Sequence, residues 1–323
     1  MIHLIFFSIF YIRGFEKAEL NGVYTLKVVV RGDLDYMIIH LPLPVDYRGC
    51  TTYQKVLSTD YSIQPSPKGK KILTKKTGSF LKVRYGRISN TICTIKVNFS
   101  VERGINLENL PDDRPGKPIM EKTKSIRPDY KEIISLAKRL TMGHYTIKDI
   151  SNQIVYYIGN NIDYYIYGNE DAVNTLKDGS GNCMGISTLA VSLFRASGVE
   201  SRLVTGISLE DSKKYTFRKD NLIYSVRLSS FEDLHQWCEI RFPTCGWAEL
   251  EPQGHSCFVP VGYIRLATGE EGVDYPYLIV YSYRGRPSVK YSVSVEGNIR
   301  RLVSHFKSER VERRGYKPII MAE

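Results

Sequence analysis

The segment that most constrains this chain is Gly179-Ser-Gly-Asn-Cys183, a glycine-rich loop running directly into an apolar stretch. Beyond it Ile186, Leu189, Ala190, Leu193 and Ala196 recur at helical spacing and Gly198 ends the run, which predicts a helix with one buried face. Cys183 falls in the first turn, where unpaired backbone N–H groups and the helix dipole favour a thiolate. Ser180 and Asn182 read as loop formers. A lone cysteine on an apolar helix is more often a packing residue than a nucleophile. Here a second block, fifty residues on, reverses that reading.

The block Leu234-His-Gln-Trp-Cys-Glu-Ile-Arg-Phe-Pro-Thr-Cys-Gly-Trp-Ala-Glu-Leu-Glu-Pro-Gln253 reads as two short strands around a turn from Pro243 to Gly246. Paired as a hairpin, they bring His235, at the start of the first strand, and Glu251, at the end of the second, to the same edge. That is what a base and its orienting carboxylate need: the imidazole takes or shares the thiol proton, and the carboxylate fixes its tautomer. Trp237 and Trp247, the only tryptophans, both fall in this block and are candidates to wall a cleft or to pack the core.

These residues resemble the transglutaminase-like superfamily, whose members share a papain-like core and a Cys-His-Asp triad. The likeness rests on the Gly179 to Cys183 loop with its helix, the Ser201-Arg-Leu-Val-Thr-Gly206 strand, His235-x-Trp-x-Glu239, and Gly246-Trp-x-x-x-Glu-Pro252. It continues through Val261 to Glu270, Asp274-Tyr-Pro276 and Tyr283-Arg-Gly285, covering roughly 125–297, with sharp motifs only around Cys183 and over 235–252. One departure stands out: the family's third residue is usually an aspartate in an Asp-Pro pair, and this chain has Glu251-Pro252. Glutamate keeps the carboxylate one methylene longer. The resemblance implies a thiol enzyme, with Cys183, His235 and Glu251 as catalytic residues, acting on amide bonds through a Cys183 thioester. It implies a cysteine protease or amidase (a hydrolase) ahead of a cross-linking acyltransferase, with a protein or peptide substrate carrying an amide or a glutamine side chain. The oxyanion would lie on the Cys183 backbone N–H and a second donor, for which Tyr164 or Tyr165 is a guess. The alternative is a transglutaminase-like domain without activity, serving as a binding or scaffold module. A metal-dependent hydrolase using His235 and Glu239 lacks a second histidine at ligand spacing.

With 323 residues, 42% of them hydrophobic, the chain can bury a large core, and its length suggests two domains. No apolar run is long enough for a transmembrane helix. Residues 2–12 are nearly all apolar and fit either a signal-peptide core or a first strand, so cytoplasmic and exported locations both stay open. The net charge of +11 is dense at 68–76 and 300–314 and favours anionic partners, but no nucleic-acid motif accompanies it and no nucleic acid is expected. The cysteines at 50, 93, 238, 245 and 257 form no CxxC pair, and neither a metal nor another cofactor is expected; a metal reading of His255 and Cys257 lacks further ligands. Nor is there a calcium-loop pattern of spaced carboxylates. Cys238 and Cys245 flank the predicted turn; the bland reading leaves both reduced, while an exported chain could join them. Oligomeric state is not written in the sequence.

Strands are predicted at 24–30, 36–43, 80–85 and 91–101, a candidate β-sandwich. The breaker-rich run 109–122, with Pro111, Pro115 and Pro118, marks a linker. Helical periods follow at 130–140 and 147–158, and strands succeed the nucleophile without βαβ alternation. The expected class is α+β: an N-terminal β-sandwich-like domain over 1–108 (1–13 a possible signal or strand), a linker over 109–124, a transglutaminase-like core over 125–297, and a basic tail over 298–323 with a helix around 299–311.

Overall fold

The computed structural model describes residues 7–108, 110–209, 213–219, 222–228, 233–269, 277–282, 287–310 and 317–322. The first third is all strand: β1 (Phe7–Arg31), β2 (Asp33–Leu34), β3 (Tyr36–Leu43), β4 (Tyr47–Arg48), β5 (Thr52–Gln64), β6 (Gly69–Lys75), β7 (Gly78–Tyr85), β8 (Ile88–Ser89) and β9 (Ile92–Asn106). The helical part follows: α1 (Lys131–Thr141), α2 (Ile147–Asn161), β10 (Asp163–Asn169), α3 (Ala172–Asp178), β11 (Ser180–Gly181) and α4 (Cys183–Ala196). Then come β12 (Ser201–Ser208), β13 (Lys213–Lys219), β14 (Leu222–Leu228), β15 (Asp233–Phe242), β16 (Gly246–Leu250), β17 (His255–Ser256), β18 (Tyr263–Gly269), β19 (Tyr277–Tyr281), β20 (Ser288–Arg310) and β21 (Lys317–Ala322). The class is α+β.

Two sheets carry the molecule. One runs β17-β21-β1-β9-β5-β4 with β20 also on β1, and the other runs β16-β15-β12-β18-β7-β3-β19 with β6 also on β7. Strand β9 alternates buried and open positions along most of its length, as a half-buried strand must. Its buried Cys93, Ile95, Val97 and Val101 share one apolar layer with Leu26 and Val28 of β1, Ile39 and Leu41 of β3, and Ile207 and Ile264 of β12 and β18. The sheets thus face each other as a sandwich, to which the strands after residue 200 contribute. Ala267 of β18 pairs with Gly78 of β7, so hydrogen bonding is continuous from the N-terminal strands into the later ones.

A second apolar cluster lies under the helices. There Leu189, Leu193 and Phe194 of α4 and Ile154 and Ile158 of α2 meet Cys238, Ile240 and Phe242 of β15 and Leu250 of β16. Alternation along β15 sends these even-numbered side chains to the helices and leaves His235, Trp237 and Glu239 on the opposite face. The turn after Phe242 ends at Gly246, whose φ of 96° suits glycine.

Two expectations need correction. The helix expected around 299–311 is strand: β20 pairs antiparallel with β1 from Phe10↔Arg310 to Arg31↔Ser288. Ile299, Leu302, Val303 and Phe306 match a helical period, but the free edge of β1 offers a ladder that local propensity cannot outweigh. Nor are Cys238 and Cys245 both reduced: Cys238 is, but Cys245 is disulfide-bonded, and not to Cys238. The register sets Cys238 opposite Leu250, buried toward α4, whereas Cys245 sits in the turn and forms a disulfide with Cys50 across 195 residues, with Cα atoms 5.1 Å apart.

This disulfide ties the loop between β4 and β5 to the tip of the β15–β16 hairpin. The Cys50 N–H donates to the Trp247 carbonyl at 2.6 Å, and Thr244 donates through N and Oγ1 to Asp113 at 2.8 and 2.6 Å. The tip is held without the S–S bond, so its loss acts mainly by freeing the unfolded chain. Cys50→Ser with Cys245→Ser is expected to lower unfolding stability by about 2–4 kcal/mol. Urea titration of the variant beside the wild type, with and without reductant, checks this; reductant should shift the wild type and leave the variant unchanged.

Candidate active site

Helix α4 starts at Cys183, with Asn182 as its cap: the Asn182 side-chain oxygen accepts the Gly185 N–H at 3.1 Å. The loop before it is fixed by strand pairing. Tyr164 of β10 pairs with Gly181 of β11, and the Asn182 N–H donates to the Asn169 carbonyl at 3.1 Å. A Cβ at position 185 would collide with the Asn169 carbonyl and the Thr175 hydroxyl, so glycine is what lets the first turn of α4 lie against β10. The Cys183 N–H, as a first-turn amide, has no partner within its own helix. The capping asparagine predicts nothing special in sequence beyond a loop, yet it sets where the sulfur stands.

His235 lies at the start of β15, opposite Gly206 of β12, and is 7% exposed. Its Nε2 is 2.6 Å from Oε2 of Glu251. Nδ1 is thereby left for the Cys183 thiol, whose proximity helps to raise the imidazole pKa. Spacing between helix and strand is fixed by Ser187, one turn along α4, whose hydroxyl donates to the Gln236 carbonyl at 3.0 Å. The ring of His235 is flanked by Trp237, stacked at 6.2 Å, and by Tyr263, edge-on at 5.2 Å.

Glu251 is held at both oxygens. Oε2 also accepts from the Tyr263 hydroxyl at 3.2 Å, and Oε1 accepts the Gln253 N–H at 3.2 Å. Its backbone is turned by reciprocal hydrogen bonds with His255 at 3.0 and 2.9 Å. The longer side chain reaches the imidazole, so the glutamate in place of aspartate still closes the hydrogen-bond chain. Tyr263 and Gln253 were not singled out by sequence reasoning; a phenol twelve residues away on another strand carries no local signal.

Electrostatics follow from this packing. Burial opposes a charged His235, but the Glu251 carboxylate and the bond with Cys183 outweigh it and raise its pKa to about 10. Burial likewise works against the Glu251 carboxylate, yet His235 and the Gln253 N–H hold its pKa below the ordinary carboxyl value. The described thiols of Cys93, Cys238 and Cys257 are buried and pushed up by that burial. Cys183 is the free cysteine that is partly open to solvent.

Other expected residues are placed as follows. Tyr164 is half-buried against the helical cluster, and Tyr165 is exposed beside Tyr167 on β10. Trp237 is fully buried next to His235, while Trp247 packs under the Arg202 guanidinium, 4.0 Å from its ring centre. His255 is buried against the Phe258 ring, and Glu239 belongs to an arginine network on the β15 face that carries His235 and Trp237. Among the described residues no group of three or more His, Cys, Asp or Glu side chains is placed to hold a metal ion.

Residues 134–252 match the family described as "Transglutaminase-like superfamily". A protein from Bacillus subtilis (strain 168) named "Uncharacterized protein YebA" is 30% identical over 127 residues, 36% of this chain; the chain spans only 17% of that relative. Among solved structures, the "Putative Cysteine Protease from Cytophaga hutchinsonii" superposes with a TM-score of 0.64 over 90% of this chain and 92% of that one, at 15% identity. The periplasmic domain of TgpA from Pseudomonas aeruginosa gives a TM-score of 0.33 at 13% identity, over 70% of this chain and 86% of that one. The segment 134–252 is a transglutaminase-like core, and the fold of nearly the whole chain is one shared with the Cytophaga structure. Among the described residues no helix is long and apolar enough to cross a membrane.

Proposed function

We propose that this protein is a thiol enzyme of the transglutaminase-like class that cleaves amide bonds, a cysteine protease or amidase rather than a cross-linking acyltransferase. The observation that carries the reading is the chain of contacts Cys183–His235–Glu251, with a 2.6 Å carboxylate–imidazole bond and the sulfur at a helix N-terminus. Cys183 sulfur attacks the carbonyl carbon of a peptide or glutamine amide, forming an S–C bond. The carbonyl π electrons move onto oxygen, which lies against the Cys183 N–H. As the C–N bond breaks, protonated His235 delivers its proton to the leaving nitrogen, and ammonia or an amine departs. Water then attacks the thioester, losing its proton to His235, and the acid leaves as Cys183 is restored. Glu251 orients the imidazole and offsets its charge throughout; Trp237 and Tyr263 keep its flanks dry.

The test is a panel of glutamine-containing and fluorogenic peptides, assayed for ammonia and new amino termini, with and without added primary amine. Hydrolysis that persists in excess amine, and that vanishes in Cys183→Ala, is the expected result. Product in which the amine is incorporated in preference to water would make the enzyme a cross-linker. No turnover on any donor, together with no acyl adduct on Cys183 by mass spectrometry, would leave the fold as a binding module.

A further inference from the structure

We infer that a cavity of about 500 Å³ beside the β6–β7 turn is a binding site for a phosphate-class oxyanion. It is lined by Lys75 and Lys76 from the turn, Arg202 of β12, Arg265 and Thr268 of β18, and Ser79 of β7. The volume falls in the range of small-ligand sites.

Ion pairs are buried behind its floor. Arg265, about 5% exposed, donates to Glu239 through Nη1 and Nη2 at 2.7 and 2.9 Å and to Glu249 at 3.1 Å. Arg103 donates to Glu249 at 2.9 Å and Arg202 to Glu239 through Nε. Three guanidinium groups thus face two fully buried carboxylates. Arg103 and Arg265 are buried and paired, whereas Arg202 is 30% exposed and shares Glu239 with Arg265, so the surplus positive charge stands at the cavity side of the network. The terminal nitrogens of Arg202 make no hydrogen bond among the described residues, and its guanidinium carbon lies 4.0 Å from the Trp247 ring centre, so it is held in place and still has donors to offer. Lys75 and Lys76 add two cations at the mouth. The opposing group there, Asp46, spends Oδ1 on the Val56 N–H at 2.7 Å.

The donor set selects the ligand. The terminal guanidinium nitrogens of Arg202, two ammonium groups and the hydroxyls of Ser79 and Thr268 line one cavity, a donor set that suits a tetrahedral anion with three or more oxygens better than a carboxylate. Such a group reaches the cavity as a free ion or on a polymer.

Binding is to be measured on the full chain by calorimetry and by the fluorescence of Trp247, with inorganic phosphate and linear polyphosphate as probes and chloride at matched ionic strength as the reference. Saturable binding that weakens about tenfold or more in Lys75→Gln/Lys76→Gln, but not in Lys70→Gln/Lys71→Gln, supports the site. Both pairs are exposed surface residues, so folding is not at stake. Similar affinity per phosphate for the two probes points to a free ion, and much tighter polyphosphate binding points to a polymer. No saturation by about 10 mM phosphate or polyphosphate, or equal losses in the two double variants, overturns the assignment, because diffuse surface charge would then explain any attraction.

Discussion

Glu251→Gln is expected to slow alkylation of Cys183 near neutral pH by up to about thirtyfold, the ratio between a full thiolate and the few per cent of thiolate that an ordinary thiol holds near pH 7. Hydrogen-bond capacity is largely kept; what is lost is the charge that lets His235 stay protonated despite its burial. With Glu251 present, the imidazolium persists until pH approaches about 10. Without it, burial is opposed only by Cys183, so the imidazolium is lost at much lower pH and no cation stands beside the sulfur near neutrality. Iodoacetamide modification followed by peptide mass spectrometry across pH reads this directly, with the buried thiols of Cys93, Cys238 and Cys257 as controls in the same sample. A variant that matches the wild-type profile would remove Glu251 from the proposed triad. The same linkage makes a stability prediction. The raised pKa of His235 contributes stability that is complete below about pH 6.5 and lost as pH rises through about 10. The lowered pKa of Glu251 contributes stability present above about pH 4.5 and lost as pH falls through its folded value. Both contributions are in place from about pH 4.5 to 6.5, and Glu251→Gln should lose most of its stability deficit outside that window.

What could be read from the sequence was whatever local chemistry determines. The helix at Cys183 announces itself through glycines and a 3.6 period, and the β15–β16 hairpin through alternation around a Pro-to-Gly turn. Together they place His235 and Glu251 at one edge before any coordinates. Helices α1 and α2 and the strands within β1, β3, β7 and β9 were visible for the same reason. Long-range pairing was not. Strand β5 is largely polar and exposed from Lys55 to Asp60, with alternation only at Tyr61 and Ile63, and exists because β9 offers a partner. Strand β20 imitates a helix until β1 is laid beside it. The Cys50–Cys245 bond, the Tyr263 hydroxyl on Glu251 and the buried arginines each join positions whose separation in sequence gives no hint of contact.

Those buried charges yield the second large effect. Glu249→Ala is expected to cost about 3–5 kcal/mol, because it leaves Arg103 in the interior with nothing to neutralise it. Glu249 is fully buried; burial resists its ionisation, but Arg103 and Arg265 overcome that and hold its pKa at about 2. Its oxygens also accept from the Thr52 hydroxyl at 2.6 Å and from Trp237 Nε1 at 3.2 Å. Arg103, 1% exposed, already has Nε and Nη1 without partners among the described residues, so its bond to Glu249 is what satisfies it. Arg265 keeps two bonds to Glu239 and should be less affected. It follows that Glu249→Ala/Arg103→Met, which removes the stranded cation as well, should recover much of the loss, since apolar replacement of a whole buried pair is often neutral or better. Denaturant unfolding of the two single variants and the double variant gives the cycle directly. A Glu249→Ala cost below about 1 kcal/mol would mean that water reaches Arg103. The consequence extends to the site: Trp237 forms one wall of the His235 pocket and Glu249 holds its indole N–H. Cys183 alkylation should therefore weaken in Glu249→Ala and stay weakened in the double variant even as stability returns.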